Sequence, residues 1–254
     1  MSKTYEQLQL TRDGDIAILT LDNPARLNPI SSTLQRSLLQ AVADVAADRG
    51  IRALVLTGAG RAFCSGADLA GGLSSDDGSG QSPGNRAALP MPVVCAINGV
   101  AAGGGLGLAL VGDVVLAARS AYFYLPFMAK LGIVPDVGST WFYQRLLGSG
   151  RATALTLLGD RLSAEKAAAW GLIWDCVDDD QLMPQALAIA RRLTTLPAHA
   201  ALETRRAYEA AAGNTLTEQL AYEAERQREL IDRPEFREGV AAFLEKRPPA
   251  FPPR

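Results

Sequence analysis

The sequence predicts an α/β protein in which ββα units follow one another and give way to a helical C-terminal part. Three observations predict it. Residues 5–22 alternate apolar and polar side chains around Asp13-Gly14, the pattern of a β-hairpin. Apolar runs of strand length then return ahead of helix-length segments: 16–21 before 33–47, then 51–57, then 93–97 before 104–111. From Ser139 onward nearly all of the chain has helical spacing. The order of elements recurs, without a repeat in the residues themselves.

Each element has its local reason. The two prolines of "NPARLNP" end the hairpin, and Ser31 or Ser32 can cap a helix from about Thr33 to Ala47. That helix carries Leu34, Leu38, Val42 and Val45 on one face. "IRALVLTG" reads as a short buried strand, and "AGRAFCSGADL" as the loop after it. Residues 70–85, "AGGLSSDDGSGQSPGN", hold almost nothing to bury and predict a mobile surface loop. "MPVVCAING" is the next strand, followed by a glycine turn and a helix near Gly104–Val111. "DVVLAA" and "AYFYL" are further strands. Beyond them, Ser139, Ser163 and Asp232 (with Pro234 just inside) are candidate helix starts. The helix "RPEFREGVAAFLEKR" has acidic residues early and basic residues late, with Phe236, Val240, Phe243 and Leu244 as its apolar stripe. The tail "PPAFPPR" cannot continue it.

Bulk properties narrow the function classes. The chain has 254 residues, 48% apolar and 20% charged, with a formal net charge of −2. Without a basic excess, neither nucleic acid nor an anionic membrane surface is an expected partner. Val93–Gly112 is uncharged, but its six glycines and Asn98 suit a strand, turn and buried helix better than a membrane span. The start "MSKTYEQLQL" lacks the apolar core of a signal peptide, so the expected location is the cytoplasm. Cys64, Cys95 and Cys176 are too few and too scattered for a disulfide framework or a zinc site. The single histidine, His199, lies next to the helix-rich end, which argues against a Ser-His-Asp triad or a histidine metal site. No metal is expected.

Two glycine-bearing turns follow strands: "CSGADL" at 64–69 and "NGVAAGGGLGLAL" at 98–110. Each can leave backbone N–H groups free, and two such groups aimed at one point make an oxyanion hole. Neither fits a Walker loop, and "GGGLGL" fits the dinucleotide pattern only in part. Tight helix-on-strand packing would also explain the glycines. A third segment, "LGIVPDVGSTW", places one carboxylate, Asp136, among glycine, proline and apolar residues. Asp136 could cap a helix starting near Ser139, or it could be a carboxylate with a pKa raised by desolvation.

"CSGADL", "PVVCAINGVAAGGGLGLALVGDVVLAA", "KLGIVPDVGSTW" and "LTLLGDRLSAEKAAAWGLI", in this order and spacing, resemble the crotonase (enoyl-CoA hydratase/isomerase) superfamily. The resemblance covers nearly the whole chain. Within the superfamily, "KLGIVPD", Trp141 and "GLIWDCVDDDQL" are most similar to the branch that isomerises ring-1,2-epoxyphenylacetyl-CoA. The resemblance implies a crotonase-like spiral of ββα units over 1–195 and a helical C-terminal oligomerisation region over 196–254, forming a homotrimer or a dimer of trimers. It implies an acyl-CoA thioester as substrate, with coenzyme A as part of it and no separate cofactor. The thioester oxygen would lie between the N–H groups of Ala67 and Gly104, with Asp136 as acid–base. Ala25, Arg26, Ser65, Gly66, Asp68, Leu69, Gly103 and Trp141 would contact substrate, and Phe243 and Lys246 of a neighbouring subunit would close over the adenine end.

The chain departs from the hydratases of that superfamily. Their two glutamates fall here on Gly107 and on Phe127 or Met128. The superfamily's roof over the acyl pocket is shortened at 70–88. The expected activity is therefore isomerisation through an enolate. An enoyl-CoA hydratase and a non-catalytic acyl-CoA-binding protein are the alternatives.

Overall fold

The computed structural model describes residues 2–69 and 89–252. The polar segment at 70–85, and with it the expected shortening of the roof at 70–88, lies outside the described residues. The hairpin forms as the alternation predicts: β2 (Leu8–Asp13) and β3 (Ile16–Leu21) pair antiparallel across Gly14, which adopts φ 57°. A short β1 (Lys3–Tyr5) adds to its outer edge. Then α1 (Ser32–Ala47) begins on Ser31, whose hydroxyl accepts the Leu34 N–H at 3.1 Å.

From there the chain alternates between two sheets. β4 (Ala53–Gly58), β6 (Val93–Ile97) and β8 (Val114–Ala118) extend the large sheet in parallel. β5 (Ala62–Cys64), β7 (Val100–Ala102) and β9 (Tyr122–Tyr124) build a small one. Each ββ pair so places one strand in each sheet, and repetition of this step makes the spiral. α2 (Gly104–Ala109) follows β7, and α3 (Ser139–Leu158) follows β9 after a turn of π-helix at Phe127–Leu131. β10 (Arg161–Ser163), α4 (Ala164–Ala169), β11 (Asp175–Val177) and α5 (Leu182–Thr194) complete the layers. The large sheet runs β1-β2-β3-β4-β6-β8-β11 and the small one β10-β9-β7-β5. All of β6 is buried, as expected of a parallel strand covered on both faces. α6 (Ala200–Ala211), α7 (Leu216–Ile231) and α8 (Pro234–Glu245) form the helical end. No helix of the described residues is long and apolar enough to cross a membrane.

Ser139 starts α3 as expected, as its first residue, with Gly138 in the cap position at φ 75°. Two local expectations change. Two short strands, β10 and β11, interrupt the region read as nearly all helix. Asp232 closes α7, while Arg233 is the residue before α8. The proline ring at 234 accounts for the last shift, since it pushes the residue before it into extended geometry. Arg233 indeed sits at φ −77°, ψ 149°. Ser163 does cap α4, accepting the Lys166 N–H.

Asn28 ties the first unit together. It is fully buried at φ 53°. Its Oδ1 accepts the Asn23 N–H at 2.8 Å, and its Nδ2 donates toward the carbonyls of Ala59, Ala62 and Phe63 at 2.8–3.2 Å. Asn28→Ala removes these bonds and leaves a β-carbon in a left-handed conformation. The expected loss is about 3 kcal/mol of stability, read from urea denaturation as a lower midpoint at unchanged slope.

Candidate functional site

The site is built where three backbones meet. The first is the loop after β5. The Ile30 N–H donates to the Gly66 carbonyl at 2.7 Å, and the Asp68 N–H donates to the Ile30 carbonyl at 3.3 Å. These bonds make a one-residue parallel bridge between Ile30 and Ala67. Alternate groups of an extended strand point to opposite sides. With Gly66 and Asp68 bonded toward Ile30, the Ala67 N–H is turned away from it. Gly66 is at φ 88°, and a β-carbon there would lie 2.7 Å from the Ala102 oxygen and 3.2 Å from the Gly104 nitrogen. Only glycine allows the two backbones to touch.

The second backbone is α2. Gly103 precedes it at φ 52°, and Gly104 is its first residue. The N–H of Gly104 has no acceptor within its own helix. Gly105 rests on Cys64: a β-carbon there would lie 2.8 Å from Cys64 Sγ. Burial pushes that thiol up to about 12, so Cys64 is inert packing.

The third backbone is the turn ahead of α3. A β-carbon on Gly104 would lie 3.1 Å from Asp136 Oδ1, 2.9 Å from Val137 Cγ2 and 3.3 Å from Ile30 Cδ1. One carboxylate oxygen therefore stands beside the start of α2, with Val137 Cγ2 and Ile30 Cδ1 next to the same point. Among the described residues no cation pairs with Asp136. Asp136 does not cap α3 with its side chain, because that helix has no side-chain cap; its carbonyl takes the Ser139 N–H instead. The residue as a whole is exposed. Burial of the carboxylate nevertheless raises its pKa above the ordinary carboxylate range, opposed by its own backbone N–H.

The Gly107 position is closed. A β-carbon there would overlap the Val137 carbonyl and lie 2.9 Å from the Val137 β-carbon. Phe127 is buried.

The other predicted residues divide into two groups. Ser65, Gly66, Ala67, Gly103, Gly104 and Asp136 come together at this junction. Ala25 and Arg26 are exposed on a 3-10 turn beside it, where Arg26 grips both carboxylate oxygens of Asp68 at 2.6 and 2.8 Å. Leu69 is exposed. Trp141 stands apart: Arg145 covers its ring at 4.1 Å, and the groove it lines contains none of Ala67, Gly104 or Asp136. Phe243, 84% exposed, and Lys246, at φ 56° past α8, lie at the far C-terminal end. His199 sits beside charged residues of α6, α7 and the start of α8, and burial lowers its pKa. Among the described residues no cluster of His, Cys, Asp or Glu is placed to hold a metal ion.

Sequence reasoning missed three participants. Ile30 and Val137 supply the apolar ring, and Asn28 anchors the loop that carries Ala67. Of these, only Asn28 left a trace, as an Asn-Pro pair ahead of a helix cap.

Among the described residues the Ala67 and Gly104 N–H groups have no acceptor, and groups of this kind beside a desolvated carboxylate can hold an oxyanion and move a proton. The family model for enoyl-CoA hydratase/isomerase matches residues 11–254. The chain is 44% identical over 250 residues to the 1,2-epoxyphenylacetyl-CoA isomerase of Escherichia coli, covering 93% of this chain and 94% of that one. It is 40% identical over 256 residues to a Rhodobacter capsulatus protein named "Probable enoyl-CoA hydratase", covering 98% of both. The crystal structure of an enoyl-CoA hydratase from Polaromonas has a TM-score of 0.89 at 30% identity, covering 96% of this chain and 99% of that one.

The raised pKa of Asp136 has a consequence for stability. Its favourable share is present below the ordinary carboxylate pKa of about 4 and is lost as pH rises through the higher folded value. At neutral pH the charged carboxylate is thus a cost. Asp136→Asn is expected to melt above the wild type at pH 7, with the gap closing below about pH 4, as followed by calorimetry.

Proposed function

The chain belongs to the enoyl-CoA hydratase/isomerase family, and from that premise we propose that it is a cytoplasmic acyl-CoA isomerase. It moves a double bond, or opens a ring epoxide, through a thioester enolate. The thioester oxygen accepts from the Ala67 and Gly104 N–H groups, which strengthen their hold as charge develops on it. Asp136 removes a proton alpha to the thioester and returns it to another carbon of the acyl group. One carboxylate completes this cycle, because the proton taken is the proton given back. Gly66 and Gly103 let the two N–H groups converge. Arg26 and Asp68, with Ala25, Ser65 and Leu69, border the coenzyme A path, and no other cofactor enters.

The observation that carries this reading is that, among the described residues, one carboxylate stands over Gly104, beside a closed Gly107. Adding water across a double bond needs groups to activate and protonate it. Val137 occupies the place where a second carboxylate would stand, and Phe127 and Met128 offer none. The 44% identity to an epoxyphenylacetyl-CoA isomerase supports the same choice and favours an aromatic ring epoxide as substrate. The relative named as a hydratase keeps the second reading alive, with Asp136 alone serving water. The exposed Phe236, Val240, Phe243 and Leu244 of α8 support burial in a homotrimer or dimer of trimers. Trp141 and Lys246 remain candidates for substrate contact only across such an assembly.

The deciding measurement is absorbance at the conjugated thioester as 3-hexenoyl-CoA is converted, wild type beside Asp136→Asn. The expected result is turnover that falls about 10²- to 10⁴-fold in the variant, with hydration of crotonyl-CoA at background in both. Turnover undiminished in the variant removes Asp136 from the mechanism. Hydration at enzymatic rates replaces the isomerase with the second reading. Since the basic form does the work, wild-type turnover should fall as pH drops through a value above the ordinary carboxylate pKa of about 4.

A further inference from the structure

We infer that Gly107 is a positioning residue: it seats the Val137 carbonyl, and this seat holds the Asp136 carboxylate over Gly104. The inference rests on the reading of Asp136 as the proton shuttle.

Val137 adopts φ 49°, a region that β-branched residues rarely enter, and Gly138 follows at φ 75°. Two consecutive left-handed residues reverse the chain between Asp136 and α3. A conformation of this kind persists only where its surroundings impose it. The surroundings here are Gly104 and Gly107, one turn apart on the same face of α2. Val137 lies across both. Its Cγ2 is 2.9 Å from where a Gly104 β-carbon would be, and its β-carbon and carbonyl carbon are 2.9 and 3.0 Å from where a Gly107 β-carbon would be. Asp136, one residue earlier, is thereby delivered to Gly104 at 3.1 Å on the same scale. Gly107 touches no reacting atom in the proposed mechanism and has no side chain to donate a proton. Its part is to be absent, so that the turn can close.

Gly107→Ala tests this. The added methyl must push the Val137 carbonyl aside and carry the carboxylate off Gly104. Displacements of this size cost on the order of 10²-fold in rate. The expected result is a large fall in kcat for 3-hexenoyl-CoA with KM changed less than about twofold, because the coenzyme A path and both N–H donors stay in place. The acidic limb of the kcat–pH profile should move down, as the carboxylate regains water. Asp136→Asn combined with Gly107→Ala should be no slower than Asp136→Asn alone.

Val137→Gly covers the case in which Gly107→Ala does not fold, since it creates no clash and removes the side-chain atoms that rest on Gly104 and Gly107. It should show the same fall in kcat, the same KM and the same non-additivity. Wild-type kcat and an unmoved acidic limb in the folded Gly107→Ala, or in Val137→Gly, would overturn the positioning role while Asp136→Asn still establishes the shuttle. Full activity in Asp136→Asn is the separate result that overturns the shuttle itself.

Discussion

The structure depends on the close approach of bare backbone around α2. Six residues, "GGLGLA", form a helix whose three glycines each cost about 1 kcal/mol relative to alanine. No isolated peptide of that length and composition would hold a helix. It exists because all six of its residues are buried, Leu106 and Leu108 toward opposite sides, and because three other backbones need the space that its glycines leave. The loop at Gly66 reaches the Gly104 nitrogen, Cys64 rests on Gly105, and the Val137 turn rests on Gly104 and Gly107. A side chain at any of these places would separate two elements that the candidate site needs in contact. The geometry is held by exclusion of atoms more than by particular bonds.

Polar contacts then fix the backbones that α2 receives. Asn28 clamps the stretch from Ala59 to Phe63 in the interior, and the Arg26–Asp68 pair ties the same loop at its rim. The two are unequal. The buried amide satisfies the carbonyls of the buried Ala62 and Phe63, whereas the pair at the rim competes with solvent and is worth less than about 1 kcal/mol. On the other side of the molecule Arg205 of α6 is buried against Asp113, at 2.5 and 2.8 Å, and donates to the carbonyls of Leu89 and Met91. Asp113 in turn accepts the Val93 N–H at 2.7 Å. A guanidinium is retained in the interior only when its donors are met, and this one docks the helical end onto the entry of β6.

Much of this was legible in the sequence, and what escaped it escaped for physical reasons. Asp13-Gly14 marked its hairpin and Ser31 its helix because caps and tight turns are local interactions. β4 and β6 were visible as uninterrupted apolar runs. The small sheet was largely missed: β5 and β7 have three residues each, too few for a period of two to register, and they are strands only because each lies beside the next. The glycines at 66, 104 and 107 advertised close approach without saying to what. Gly104 meets Asp136, Val137 and Ile30 from 32, 33 and 74 positions away, and no local rule spans such distances. The cap reading of Asp136 failed for a related reason. "PDVGS" is a sound capping sequence, but Gly138 occupies the cap and turns the Asp136 side chain toward α2.

Desolvation of Asp136 and closure of Gly107 are two results of one movement. The turn that presses Val137 onto α2 also carries the carboxylate into apolar surroundings, where it becomes a stronger base and a less stable ion. A position 107 that carried a glutamate would hold the turn away from the helix. Asp136 would then lie further into water, with its pKa nearer that of a free side chain. Under the proposed mechanism the two chemistries therefore exclude each other sterically before they compete kinetically. A site with room for a second acid–base group on α2 lacks the seat that makes Asp136 effective. A site with that seat has one proton carrier, suited to returning a proton to the molecule it came from.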